Sequence, residues 1–72
     1  MDTKTARTTY EATTITTTDG MVYRVWRVLN SSRRFMDIEC QRITKTGQVW
    51  KTDWNKMHMT TVAHHAITGG TK

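Results

Sequence analysis

The chain has 72 residues, eleven Lys or Arg against six Asp or Glu, a net charge of +5 and no proline. That length holds one small domain with a thin core, and the only cysteine, Cys40, leaves no partner for an internal disulfide. The longest apolar run, Met21-Val22-Tyr23, is far too short to cross a bilayer as a helix, and the polar N-terminus lacks the basic-then-apolar order of a signal peptide.

A bridge-free chain of this size fits a reducing cytoplasm, and dimerisation is one way to add stability to so small a core. The surplus of cations favours a polyanionic partner, either nucleic acid or an acidic protein surface.

Residues 1–13 read as a flexible threonine-rich arm. Lys4 and Arg7 sit there among Thr3, Thr5, Thr8 and Thr9, with little apolar surface to offset the entropy of ordering. The ordered domain is expected over 14–70. Thr13 to Thr18 are β-formers around Ile15, and Asp19-Gly20 is a two-residue hairpin signal. A type I′ turn there sets Thr17 opposite Val22 and Ile15 opposite Arg24.

A second strand runs from Met21 to Leu29 and contains the alternating string Tyr23-Arg24-Val25-Trp26-Arg27-Val28. Asn30-Ser31-Ser32 matches a glycosylation acceptor but reads as a turn in a chain without a secretory signal. Phe35 to Thr44 forms strand three, paired so that Val25 faces Ile38, Tyr23 faces Cys40 and Arg24 faces Glu39.

At Lys45-Thr46-Gly47 the turn chemistry selects a three-residue loop, because only glycine then takes positive φ. That pairs Thr44 with Gln48, Arg42 with Trp50, Cys40 with Thr52 and Ile38 with Trp54. Beyond Trp54, the residues Met59, Val62, Ala63, Ala66 and Ile67 recur at helical spacing. They predict a C-terminal amphipathic helix capped by Asp53, Asn55 or Thr60 and ended by Gly69-Gly70. The expected fold is therefore α+β: an antiparallel three- to four-stranded sheet, one C-terminal helix packed on one face, and a flexible N-terminal arm.

Strand alternation sorts the side chains onto two faces. Tyr23, Val25, Leu29, Met36, Ile38, Cys40, Trp50 and Trp54 form the expected core under the helix. Val22, Arg24, Trp26, Val28, Phe35, Asp37, Glu39, Gln41, Ile43, Val49 and Lys51 share the other face, where Trp26, Val28 and Phe35 gather beside Arg27, Arg33 and Arg34. Closure into a barrel or a second subunit would bury that cluster; left open, it marks a partner site.

Cations interleaved with aromatics hold phosphates and stack on bases. The candidate nucleic-acid-binding residues are Arg24, Trp26, Arg27, Arg33, Arg34, Phe35, Lys45 and Lys51. A three-stranded sheet backed by a C-terminal helix is similar, in architecture alone, to the sheet-reading DNA-binding domains of phage and transposon integrases. That likeness implies a sheet in the major groove, with the arm tracking the backbone.

Catalysis and cofactors are not expected. His58 and His65 lie about 10 Å apart along a helix and His64 and His65 diverge, so no metal site forms. In that helix the last two complement the dipole. Cys40 points inward as a small hydrophobe, and the one carboxylate pair, Asp37 and Glu39, lies on a flat sheet without a cleft. The function expected is DNA or RNA binding by a regulatory or accessory factor of a phage or mobile element. The alternative is a protein-interaction module, an inhibitor or adaptor docking on a host protein through the same face, since Trp, Phe and Arg dominate interface hot spots. Homodimerisation through the Trp26 face is the third possibility.

Overall fold

The structure, a computed structural model, describes residues 1–71. It contains one short helix, α1 (Thr3–Tyr10), and five strands: β1 (Thr13–Thr17), β2 (Val22–Ser31), β3 (Phe35–Ile43), β4 (His58–Ala63) and β5 (Ile67–Thr71). All neighbours are antiparallel, in the order β4-β3-β2-β1-β5. β4 and β5 occupy opposite edges, yet only the 3-10 turn His64–Ala66 joins them. In a flat sheet those edges would lie roughly 19 Å apart, whereas this connection reaches roughly 14 Å. The sheet must curl, and its concave face becomes the core.

The expected C-terminal helix does not form. Residues 59–67 instead make β4, the His64–Ala66 turn and the start of β5. Met59, Val62 and Ala66 matched a helical period, but β-branched Thr60, Thr61 and Val62 lie between them and favour extended backbone. The alternation wins: Val62 is buried, while Met59 and Thr61 face out. His64 and His65 therefore have no helix dipole to complement. His64 holds the β4–β5 corner: its N–H donates to Arg34 O at 2.8 Å, its Nε2 donates to Ser32 O at 3.0 Å, and its ring stacks on Tyr10. The likeness to integrase sheet domains falls with the helix that carried it.

The N-terminal arm is ordered as α1. Asp2 caps it by accepting from Thr5 N at 2.7 Å, which holds the Asp2 carboxyl below its ordinary range. The helix performs a task that its threonine-rich composition hides. β2 outruns β1 by half its length, leaving backbone groups unpaired beyond Val25. Ala12 N donates to Val25 O, Glu11 Oε2 accepts from Val28 N at 2.9 Å, Arg7 Nε donates to Val28 O at 3.0 Å, and Thr3 Oγ1 accepts from Ser31 N at 3.1 Å. Side chains of one helix thus replace a missing strand, and Ala6 enters the core on the same face.

Three registers differ from expectation. The Asp19-Gly20 hairpin pairs Thr16 with Val22 and Ile15 with Tyr23, one residue from the type I′ register. Only Gly20 is at positive φ there, so the loop has three residues, and Ile15 turns into the core. Between β2 and β3, Val25 pairs with Cys40 and Val28 with Ile38, because bulges at Trp26 and Leu29 each insert a residue. The Trp26 bulge leaves two consecutive residues outside and turns Val28 inward. At the third hairpin Thr44 meets Gln48 and Arg42 meets Trp50 as expected. There the ladder stops, and Cys40 pairs with His58 rather than Thr52.

The core comprises Ala6, Ile15, Tyr23, Val25, Val28, Met36, Ile38, Cys40 and Val62, with Ile43 buried beside it. Leu29 is only half-buried, and Trp50 and Trp54 lie outside. Burial, aided by the charge of Asp53, pushes the Cys40 thiol up to about 11, so the sulfur is a packing atom. Among the described residues no helix is long and apolar enough to cross a membrane.

Among the described residues Ala12, between α1 and β1, is the one non-glycine residue at positive φ, at 64°. A side chain there costs about 1 kcal/mol. Ala12→Gly is expected to raise the unfolding free energy by about 0.5 kcal/mol, since glycine's extra unfolded-state entropy offsets part of the relief. Urea unfolding with an unchanged m-value would show it.

Candidate nucleic-acid interface

Strand alternation places Arg24 of β2 opposite Gln41 of β3, both on the convex face of the sheet. Trp26, the next outward residue of β2, lies beside them with 47% of its surface exposed, and its Nε1 donates to Gln41 Oε1 at 3.1 Å. On the other flank of β3 the chain leaves the ladder at Trp50 for the 3-10 turn Lys51–Asp53. Gln41 Nε2 donates to Asp53 O at 2.9 Å, tying that turn to the sheet. Beside it lies an open groove of about 910 Å³, lined by Gln41, Val49, Trp50, Lys51 and Trp54 among others. Trp54 is 60% exposed, and its Nε1 donates to Val49 O at 2.9 Å, which fixes the indole with its polar edge satisfied.

One ion pair holds this arrangement. Asp53 is 1% exposed, and its carboxylate accepts from Arg42 N at 2.8 Å, Arg42 Nε at 2.9 Å and the terminal guanidinium at 2.8 Å. The guanidinium hydrogen bonds come first among the causes that hold the Asp53 carboxyl well below the usual carboxylate range, and they raise Arg42 in turn. The same guanidinium packs on the Trp50 ring, 4.6 Å from its centroid.

The expected site residues separate into two groups. Arg24, Trp26 and Lys51 come together around Gln41. Arg27 flanks them but is paired: its guanidinium lies 3.4 Å from Glu39, so Glu39 neutralises Arg27 rather than Arg24. The register of β2 on β3, together with the Trp26 bulge, sets Glu39 opposite Arg27, three residues beyond Arg24. Phe35 is 48% exposed, but its rung lies about 13 Å from Trp26, and Val28 between them is buried, so the expected Trp26–Val28–Phe35 cluster does not exist. Phe35 instead joins Arg33 and Arg34, which project from a hairpin loop closed by Ser32 N donating to Phe35 O. Lys45 is exposed in the turn after β3, next to the groove residues Thr44 and Gln48.

Sequence reasoning missed Gln41 as the organiser and Trp54 as part of the surface. The signal was present in Trp50-Lys51-Thr52-Asp53-Trp54, where an acid between two indoles is a poor continuation of a strand.

The electrostatics of this face come from how the acids are used. Asp2 caps α1, Glu11 binds Val28 N, Asp19 binds the Thr17 hydroxyl and Met21 N, and Asp37 accepts from Thr61 at 2.6 Å. Glu39 and Asp53 take the two ion pairs. Each of the six side-chain carboxylates thus has a partner within the fold. Among the described residues Lys4, Arg7, Arg24, Arg33, Arg34, Lys45, Lys51 and Lys56 are exposed without an ion pair. Comparison with protein-family profiles, with curated proteins and with solved structures returned no match.

Removing the anchor tests its weight. Asp53→Asn should cost about 3 kcal/mol at neutral pH, since it leaves Arg42 without its counter-charge. The pH dependence has a definite sign. The folded carboxyl lies below its ordinary value of 3.8, so its contribution is complete above pH about 5 and is lost as pH falls toward the folded value. Asp2 and Asp19 are lowered too and act in the same direction. Wild type should therefore lose more stability than Asp53→Asn between pH about 5 and about 2, as measured by thermal melts of both proteins.

Proposed function

We propose that the protein binds nucleic acid through the convex face of its sheet, and that single strands are the preferred form. One observation carries this reading: all six carboxylates are engaged within the fold, while exposed cations and exposed indoles share one surface. Trp26 and Trp54 offer ring faces for stacking, and Arg24 and Lys51 flank them as phosphate contacts. The Arg33-Arg34-Phe35 tip, at the far end of β3, reaches a neighbouring stretch of strand. Stacking needs unpaired bases, which is why two indoles favour single strands over duplex. A cytoplasmic location and a regulatory or accessory role for a phage or mobile element belong to this proposal, supported by the lone cysteine and the basic charge.

A second reading has its own support. Met59 is 66% exposed and Met57 39%, and exposed methionines at the start of the edge strand β4 suit a protein partner. The two readings differ in salt dependence.

Tryptophan fluorescence titrations with single-stranded and duplex oligonucleotides of about 12 residues separate them. We expect single strands to bind with a log–log salt slope of about −2 to −3, corresponding to three or four neutralised phosphates. Arg24→Ala combined with Lys51→Ala should reduce that slope by about 1.4. Trp26→Ala should weaken single-strand binding about tenfold. Absence of binding at low salt would discard the reading. A nuclease-resistant partner in pull-downs would then favour the protein module, and doubled mass in sedimentation a homodimer.

A further inference from the structure

The groove beside Gln41 has a donor–acceptor pattern that goes beyond general affinity for a strand. Resting on the single-strand reading, the geometry points to a subsite for one unstacked nucleobase, favouring adenine, with Gln41 reading its edge and Trp54 stacking on its face.

The argument begins with the Gln41 amide. Its orientation is fixed by chemistry, because indole Nε1 can only donate and a peptide carbonyl can only accept. Oε1 therefore faces Trp26, at 3.1 Å, and Nε2 faces Asp53 O, at 2.9 Å. Trp26 belongs to β2 and Asp53 to the turn on the other flank of β3, so the two bonds pull the amide from opposite sides. Each uses half the capacity of its atom. One N–H on Nε2 and one lone pair on Oε1 remain available to a ligand in the groove that Gln41 lines. A glutamine so held loses little rotamer freedom on binding, which is the main cost of such a contact.

Around this pair the groove is suited to a planar, uncharged ring on an anionic chain. Val49 and the Trp54 indole supply apolar wall, with the Trp54 polar edge already bonded to Val49 O. The neighbouring carboxylate, Asp53, is neutralised by Arg42, and Lys51 lies at the rim for the phosphate. A side-chain amide matches a base edge that offers a donor and an acceptor side by side. Adenine offers that pair on both of its edges, N6–H with N7 and N6–H with N1, so either presentation can be read. Guanine, cytosine and thymine offer a donor beside an acceptor on the Watson–Crick edge alone; their N7 or C5 edges carry two acceptors or a single polar group, so adenine has twice the ways to meet the amide.

The test compares an adenine oligonucleotide with one of equal length carrying N6,N6-dimethyladenine, which keeps the ring but has no N6–H. Wild type should bind the dimethylated strand about tenfold more weakly. Gln41→Met, checked for folding by its melting temperature, should bind both strands alike. Equal affinity of wild type for the two strands overturns the base-reading subsite and leaves the single-strand reading standing. Failure of both strands to bind at low salt overturns both. Because the first comparison uses only wild type, it holds whatever Gln41→Met does to folding.

Discussion

The contact between Arg42 and Asp53 decides where the sheet ends and where the surface begins. In an uninterrupted antiparallel ladder the Arg42 N–H would bond the Trp50 carbonyl, completing the pair that Trp50 N opens with Arg42 O. The Asp53 carboxylate takes that N–H instead and then binds the guanidinium of the same residue twice. A charge-assisted set of three bonds outweighs one neutral ladder bond, so the chain leaves β3 after Trp50 and returns only at His58. The excursion sets Trp54 outside and brings Asp53 O within reach of Gln41, which in turn orients Trp26. Without the pair, no physical reason remains for two indoles to lie on either side of one amide.

The same device works at the other side of β2. There the Glu11 carboxylate takes the Val28 N–H and the Arg7 guanidinium takes the Val28 carbonyl, where β1 is too short to do so. Two carboxylates, each on a segment that is not a strand, thus end two ladders. This makes a short chain more economical than a longer sheet would be, because each terminating residue also anchors a helix or a turn.

These terminations explain what could be read from the residues and what could not. Positions governed by local chemistry were legible: Gly47 fixed its hairpin, alternation put Tyr23, Val25, Met36, Ile38 and Cys40 inside, and Trp26 fell on the outer face. The helical period at Met59 to Ile67 misled because a short stretch of spaced apolar residues fits two periods. β-Branched Thr60 to Val62 and the demand of the curled sheet for two more strands decided the matter. Residues 1–13 misled differently. Their composition cannot sustain an isolated helix, and α1 exists because the unpaired edge of β2 supplies partners about twenty residues away in sequence. Bulges at Trp26 and Leu29 leave no local mark at all, since they reconcile three strands whose lengths are set elsewhere.

The Trp26 bulge carries the most consequence for the surface. In a regular β2 the residues Arg24, Trp26 and Val28 would share the outer face, and a continuous apolar strip would run from the groove to Phe35. Inserting one residue turns Val28 into the core at 0% exposure and puts Arg27 outside, where Glu39 neutralises it. The apolar strip is broken into two small areas, one around Trp26 and one around Phe35, each bordered by arginine. Breaking such a strip lowers the tendency of the face to pair with a second copy of itself. It also leaves the indole of Trp26 free to lean on Gln41 rather than on a neighbouring valine. A single extra residue therefore exchanges one continuous apolar strip for two separate aromatic areas, and the basic-aromatic string of β2 acquires its form from that interruption rather than from its alternation.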